Sequence, residues 1–326
     1  PASLEFSTLG GNIAENSGGM RAVKYGVTKD YVLGLEVVLP SGEVIQTGSK
    51  CVKDVVGYNL TQLLVGSEGT LGVVTRAILK LLPLPEAKQT LSAVFPDIHG
   101  AGRTVSEIIR RKVIPATIEF LDKNALWCVE HYLQLGLPES AGAFLLIEVD
   151  GNPTILENEI RQVQSICEAN QALEIEVAQD EKDQERLWKA RRSVSASMAH
   201  YGAFKKINED VVVPRASIPE FIKNVQEISR RFDVPVINFG HAGDGNIHVN
   251  VLVMKPEDEP RCHEAVEEIF VRTVELGGRI SGEHGIGVSK RDYIDKNLEP
   301  GVLELMKAIK KSFDPHNILN PNKMFP

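Results

Sequence analysis

Two glycine-dense runs carry most of the reactive side chains of this sequence. The first is Gly240-His-Ala-Gly-Asp-Gly-Asn-Ile-His-Val-Asn250, and the second is Gly282-Glu-His-Gly-Ile-Gly287. Together they hold His241, His248, His284, Glu283 and Asn250. Two imidazoles and a carboxylate form a His2Glu set, the type used by catalytic metal sites that keep one coordination position open. His241, His248 and Glu283 are the candidate ligands. Zinc and manganese both suit this donor set. The competing reading has two buried histidines capping turns and a salt-bridged glutamate. The second glycine-flanked motif tips the balance toward the metal. His284 adjoins Glu283, and adjacent ligands would be strained, so His284 is freer to act as a general base. An enzyme acting on an oxygen-bearing small molecule is expected.

The elements that must position these groups follow from periodicity. Residues 246–253 alternate strictly, with Ile247, Val249, Val251 and Val253 on one face and Asn246, His248 and Asn250 on the other. Further strands are expected over 31–39, 43–46, 71–82, 91–95, 143–149, 205–213 and 234–239. Apolar residues three and four apart predict helices over 101–112, 156–169, 180–200, 218–231 and 260–276. Two short helices are expected after 281, followed by an extended, proline-broken tail. Pro83-Leu-Pro85 punctuates the chain between a glycine-rich first part and a part that alternates strands with helices. The expected class is α+β, with helices covering an antiparallel sheet. Residues 1–86, 87–280 and 281–326 are the expected divisions.

On one helix, Arg191 and Ser195 are four apart and share a face, and Lys206 follows on the next strand. Arginine grips a carboxylate bidentately and lysine adds a point charge. By spacing alone, ordinary surface charges explain these three equally well or better. The runs Thr8–Gly19 and Gly66–Gly72 offer backbone N–H groups that could cradle a phosphate or a flat ring. Neither is a Walker loop or a G-x-G-x-x-G fingerprint.

Composition narrows the field. The chain has 326 residues, 43% hydrophobic and 25% charged, with a net charge of −8. That length suits two domains, and the acidic balance argues against nucleic-acid binding. No membrane span is expected. The four cysteines lie far apart, without metal-ligand spacing or a disulfide framework, which fits a reducing, cytoplasmic setting. The opening at Pro1 reads like the middle of a domain.

Taken in order, Gly10-Gly-Asn-Ile-Ala-Glu-Asn-Ser-Gly-Gly19, Tyr25-Gly26, Asp30-Tyr-Val-Leu-Gly-Leu-Glu36, Gly66-Ser-Glu-Gly-Thr-Leu-Gly72, the two histidine runs and Asp314-Pro-His-Asn-Ile-Leu-Asn-Pro321 resemble the FAD-linked oxidases of the vanillyl-alcohol oxidase superfamily. The similar branch holds the glycolate oxidase FAD subunit, D-lactate dehydrogenase and D-2-hydroxyglutarate dehydrogenase. The resemblance implies part of an FAD-binding α+β domain followed by a cap domain. It implies FAD contacts from Thr8, Gly10, Gly11, Asn12, Gly18, Gly19, Asp30, Val32, Gly69, Gly72, Val73, Val74 and Asn320. It implies that His241, His248 and Glu283 bind a divalent metal, that Asn250 lies beside the substrate, and that His284 is the base. It implies that Arg191, Ser195 and Lys206 grip the substrate carboxylate, which displaces the surface-charge reading. Ser195 stands where relatives often carry threonine. The family also carries a Pro-x-Gly-Gly-Gly-type pyrophosphate loop that this sequence lacks, so the chain is expected to hold only part of the FAD site.

The expected activity is oxidation of a D-2-hydroxy acid by hydride transfer to flavin. Electrons would leave to an acceptor protein, an iron–sulfur subunit or a quinone, and a homodimer is one candidate assembly. Two other readings fit the residues: a metal-dependent hydrolase, which leaves the N-terminal glycines without a role, and a silent scaffold subunit with an incomplete FAD site.

Overall fold

The computed structural model describes residues 3–326. They form two compact units. One comprises residues up to Gly19, Gly26–Pro83 and Ser281–Pro326, and the other comprises Met20–Tyr25 and Leu84–Ile280. The sequence reading had kept 20–25 with its flanks and had placed the first boundary at 86.

The first unit is built on a three-stranded antiparallel sheet in which β1 (Val32–Val38) lies between β2 (Val44–Gly48) and β3 (Val73–Leu79). The Pro40-Ser-Gly42 turn closes the β1–β2 hairpin. Gly42 takes φ +84°, which an L side chain rarely adopts. One face of β1 supplies Val32, Leu35 and Val37 to a core completed by Ile13, Leu64, Val65 and Leu71. The helix Pro300–Phe313 lays Ile309 and Phe313 against the same cluster. It has 14 residues and is longer than the short helix expected there. At its end Asp314 is buried. Its carboxylate accepts from Lys310 Nζ at 2.5 Å and from the N–H groups of Ile318 and Leu319 at 3.1 and 2.8 Å. The tail is thereby folded back on the helix it follows.

The second unit is a seven-stranded sheet of order β7-β4-β6-β5-β9-β10-β8. Its strands are β4 (Ala87–Phe95), β5 (Thr117–Asp122), β6 (Ala143–Gly151), β7 (Glu174–Val177), β8 (Lys205–Val212), β9 (Val236–His241) and β10 (Asn246–Val253). All neighbours pair antiparallel. The helices Lys123–Leu133 and Glu181–Arg192 pack on one face, over Val94, Leu121, Phe144, Leu146 and Phe239. The helices Ile98–Arg110, Pro153–Ala169, Ile218–Phe232 and Glu259–Glu275 cover the other. In Ile218–Phe232 the buried positions Ile218, Phe221, Ile222, Val225 and Ile228 recur at helical spacing and form its inner stripe. With both faces covered, every residue of β5, β9 and β10 is buried.

Several elements differ from the sequence reading. The strand β5, the helix Lys123–Leu133 and the edge strand β7 were not expected. The helix expected over 180–200 ends at Arg192 and continues as the short turns Val194–Ser197 and Met198–Tyr201. No Gly or Pro marks that break. It follows from tertiary packing, since Val194 and Met198 are both buried in the cluster beneath.

Burial by itself would raise the Asp314 carboxyl, but the Lys310 ammonium and the Leu319 and Ile318 N–H groups outweigh it and hold it at about 2. A depressed carboxyl stabilises the fold above the unfolded value of about 3.9 and loses that contribution as pH falls through its folded value. Docking of the tail, followed by amide exchange over 316–320, should therefore survive acidification until pH approaches about 2. In Asp314→Asn the same amides should exchange faster even at neutral pH. Equal exchange in the two proteins would remove Asp314 as the anchor.

Candidate functional site

The histidine pair of the second unit is set by strand register. β9 and β10 are joined by a tight connection over 242–245. A Cβ at Gly245 would lie 2.0 Å from the Val213 carbonyl oxygen, and φ there is +90°, so only glycine fits. The hairpin pairs His241 with Asn246 and Phe239 with His248. The two imidazoles therefore share one face as diagonal neighbours. Their Nε2 atoms lie 3.4 Å apart, and the residues are only 3% and 9% exposed.

The strand on the other side of β9 adds a residue that sequence reasoning missed. β5 pairs Glu119 directly with His241. The Glu119 carboxylate, 0% exposed, takes His241 Nδ1 at 2.5 Å and Arg191 Nε at 2.6 Å. A carboxylate only accepts, so His241 carries its proton on Nδ1 and turns Nε2 toward His248. Burial alone would push the Glu119 carboxyl up, but the charges of His241 and Arg191 and their hydrogen bonds win and hold it below the ordinary range. The only signal in the sequence is a glutamate between the apolar residues Ile118 and Phe120.

Arg191 is thus a nearly buried cation and not a surface charge. Its side chain is 11% exposed, and its guanidinium lies 4.7 Å from the centre of the Phe239 ring. Across the sheet, β8 pairs Asp210 with His248, Asn208 with Asn250 and Lys206 with Leu252. Lys206 is therefore on the face that carries the imidazoles. Its Nζ donates to Ser195 Oγ at 2.9 Å, and partial burial lowers its pKa. Asn250 is fully buried. Its Nδ2 donates to the carbonyls of Ile237 and His248, while Oδ1 has no hydrogen-bond partner among the described residues. An orphaned buried acceptor beside two facing imidazole nitrogens fits a bound cation or donor group. The donor chemistry suits a divalent transition metal.

The remaining candidates lie in the first unit. Thr8 caps the helix Leu9–Glu15 by accepting Gly11 N–H at 3.0 Å. A Cβ on Gly10 would meet nothing within 4 Å, so this glycine face is open enough for a flat group. Asn12, next along, is half-buried. Gly18 and Gly19 are buried, Asp30 is exposed with its carboxylate on Val27 N–H, and Val32 is part of the core. Gly69 has φ +67°, and a Cβ there would lie 2.7 Å from Asn320 Nδ2, which donates to the Glu68 carbonyl. Gly72 is buried against Val37, Val73 is exposed and Val74 is half-buried. Glu283 is half-buried and His284 exposed, both in the irregular segment 281–289. That segment is held by Glu68, whose carboxylate accepts the N–H groups of Ile286 and Gly287, each at 2.8 Å. Glu68 is 3% exposed, and it too was not singled out in the sequence.

Comparison with known proteins places this geometry. The model of the FAD linked oxidase C-terminal domain matches residues 84–324, and that of the FAD binding domain matches residues 1–48. The chain is 48% identical to the glycolate oxidase subunit GlcD of Bacillus subtilis, covering 100% of this chain and 69% of that protein. It is 37% identical to the D-lactate dehydrogenase of Anaerostipes hadrus, covering 98% of this chain and 69% of that one. It is 34% identical to GlcD of Escherichia coli K12, covering 100% and 65%. Among solved structures, substrate-bound p-cresol methylhydroxylase superposes with a TM-score of 0.73 at 16% identity, covering 98% of this chain and 69% of that one. Alkyldihydroxyacetonephosphate synthase gives 0.72 at 21% identity, covering 99% and 60%. These two share the fold. No helix among the described residues is long and apolar enough to cross a membrane.

Hydrogen bonds to a charged group contribute about 1.5–3 kcal/mol each, so replacing Glu68 by Gln should speed exchange of the Ile286 and Gly287 amides roughly ten- to a hundredfold. Unchanged protection in Glu68→Gln would show that the segment 281–289 is held by something else.

Proposed function

The chain belongs to the FAD-linked oxidases, and on that footing we propose that it oxidises a D-2-hydroxy acid of the glycolate or D-lactate type to the 2-oxo acid. The observation that carries this reading is the polar row on one face of the sheet. Arg191 and Lys206, two cations suited to a carboxylate, share that face with a pair of imidazoles suited to a metal.

In this proposal Thr8, Gly10, Gly11, Asn12, Gly18, Gly19, Asp30, Val32, Gly69, Gly72, Val73, Val74 and Asn320 of the first unit would hold FAD. Bound FAD would supply the hydride acceptor. His241, His248 and Glu283 would hold a divalent cation, zinc or manganese, which would supply positive charge at the substrate oxygens. Arg191 and Lys206 grip the substrate carboxylate, with Ser195 steadying the lysine. Asn250 offers its amide oxygen on the substrate side. A ring nitrogen of His284 takes the hydroxyl proton as the α-carbon gives up its hydrogen with two electrons. Residues 1–86 and 281–326 would form the FAD-binding part and 87–280 the cap. The electrons would pass on to a protein acceptor, an iron–sulfur subunit or a quinone. The glycine runs have a use in this reading that a metal-dependent hydrolase or a silent scaffold would leave unexplained.

The test is anaerobic bleaching of the flavin with a panel of D-2-hydroxy acids, alongside metal analysis of the same sample. His284→Ala should nearly abolish bleaching while metal content stays constant. Bleaching at the wild-type rate would remove His284 as the base, and a wild-type protein that no 2-hydroxy acid bleaches would end the proposal. Lys206 adds a pH signature. Its grip needs the ammonium form, which is lost as pH rises through a value that burial lowers from the ordinary one of about 10.4. KM for the acid should climb on the alkaline side, and Lys206→Met should raise KM at neutral pH and flatten that climb, so that the two proteins converge at high pH.

A further inference from the structure

Glu119 belongs to no motif, yet it touches both halves of the proposed site. We infer that Glu119 is a positioning residue that couples the metal ligand His241 to the substrate clamp Arg191. This rests on the function proposed above.

The argument is geometric. The carboxylate is wholly buried in the middle of β5, flanked by Ile118 and Phe120, where an unmatched charge would be costly. Among the described residues it is matched by two groups: Oε1 faces His241 Nδ1 and Oε2 faces Arg191 Nε. One oxygen fixes which nitrogen of His241 is bare, and so fixes the direction in which that ligand points. Partners of this kind raise the basicity of a metal-bound imidazole and hold its ring. The other oxygen takes Nε of Arg191. The terminal nitrogens of the fork remain for a substrate carboxylate, while Phe239 lies beneath the guanidinium. Positive charge added at His241 draws on the same carboxylate that orients Arg191. Metal loading and substrate affinity should therefore move together, since coupling between two binding equilibria is reciprocal.

Glutamine at this position keeps the shape but offers a single acceptor. One of its two neighbours must face an amide NH2, and only His241 can meet it, by accepting at Nδ1 and moving its proton to Nε2, the atom needed bare for a metal. Removal of such a partner typically costs about ten- to a hundredfold in metal affinity. In Glu119→Gln, manganese titrated into the metal-stripped protein should bind about tenfold or more weakly. In the FAD-loaded enzyme KM for the 2-hydroxy acid should rise in parallel, by more than kcat falls. Arg191→Lys keeps a cation beside Glu119 but loses the fork, so it should raise KM and leave manganese affinity largely unchanged.

A readout independent of metal and turnover is the nitrogen-15 spectrum of His241 in the stripped protein. The wild type should show the proton on Nδ1, and Glu119→Gln should lose that single tautomer. A wild-type His241 protonated on Nε2 would overturn the coupling whatever the metal data show. So would a Glu119→Gln protein that is folded and binds manganese as tightly as wild type. If instead wild-type protein binds neither manganese nor zinc while His241 holds the Nδ1 proton, the metal reading fails and the coupling with it, and Glu119 only joins His241 to Arg191.

Discussion

A charge sealed from water has to be answered by its neighbours, and in the second unit Glu119 is the carboxylate on which the polar row depends. Glu119 is held between an imidazole and a guanidinium, each within 2.6 Å. Breaking such an arrangement from one side leaves the other charge stranded, which is far costlier than never having built it. The pairing also dictates geometry. With Nδ1 of His241 committed, its Nε2 is turned toward His248, and Arg191 is drawn off the helix surface onto the ring of Phe239. The polar row along β9, β10 and β8 exists because one strand further in supplies its counter-charge.

The sheet around that row is largely apolar. The same face, further along, is occupied by Val94, Leu121, Phe144 and Leu146 under two helices. Buried Glu148 on β6 lies on this face too, and it accepts from Trp188 Nε1 and Thr90 Oγ1. In the first unit a second buried carboxylate does a comparable job. Glu68 sits in the left-handed region at φ 52° and takes two N–H groups from an irregular segment that has no sheet or helix to satisfy them. In both units a buried glutamate joins groups that lie far apart along the chain.

Much of this was legible in the sequence because the signals were local. The alternation over 246–253 and the helical stripes over 218–231 and 260–276 correspond to β10 and to the helices Ile218–Phe232 and Glu259–Glu275. The pairing of His241 with His248 could be argued from the glycine turn between them. What escaped was what depends on distant partners. Thr117–Asp122 has six buried residues and no face left to water, so the alternation of Glu119 with Ile118 and Phe120 marks no solvent face in the sequence. Arg191 reads as one more charge on a helix with Lys182, Asp183, Glu185 and Lys189 until the strand beneath it is known. Spacing along the chain could not say that 119, 191 and 241 meet.

The separation of those three positions has a kinetic consequence. Glu119 and His241 are 122 residues apart, and Glu119 and Arg191 are 72 apart. Contacts this remote form only after long loops have closed, which makes them slow to appear during folding. Until β5 docks beside β9, the glutamate can remain hydrated and the imidazole can swap protons between its nitrogens freely. The binding geometry of the row is therefore expected to be among the last features the nascent chain acquires, after the β9–β10 hairpin and its flanking helices already have their shape.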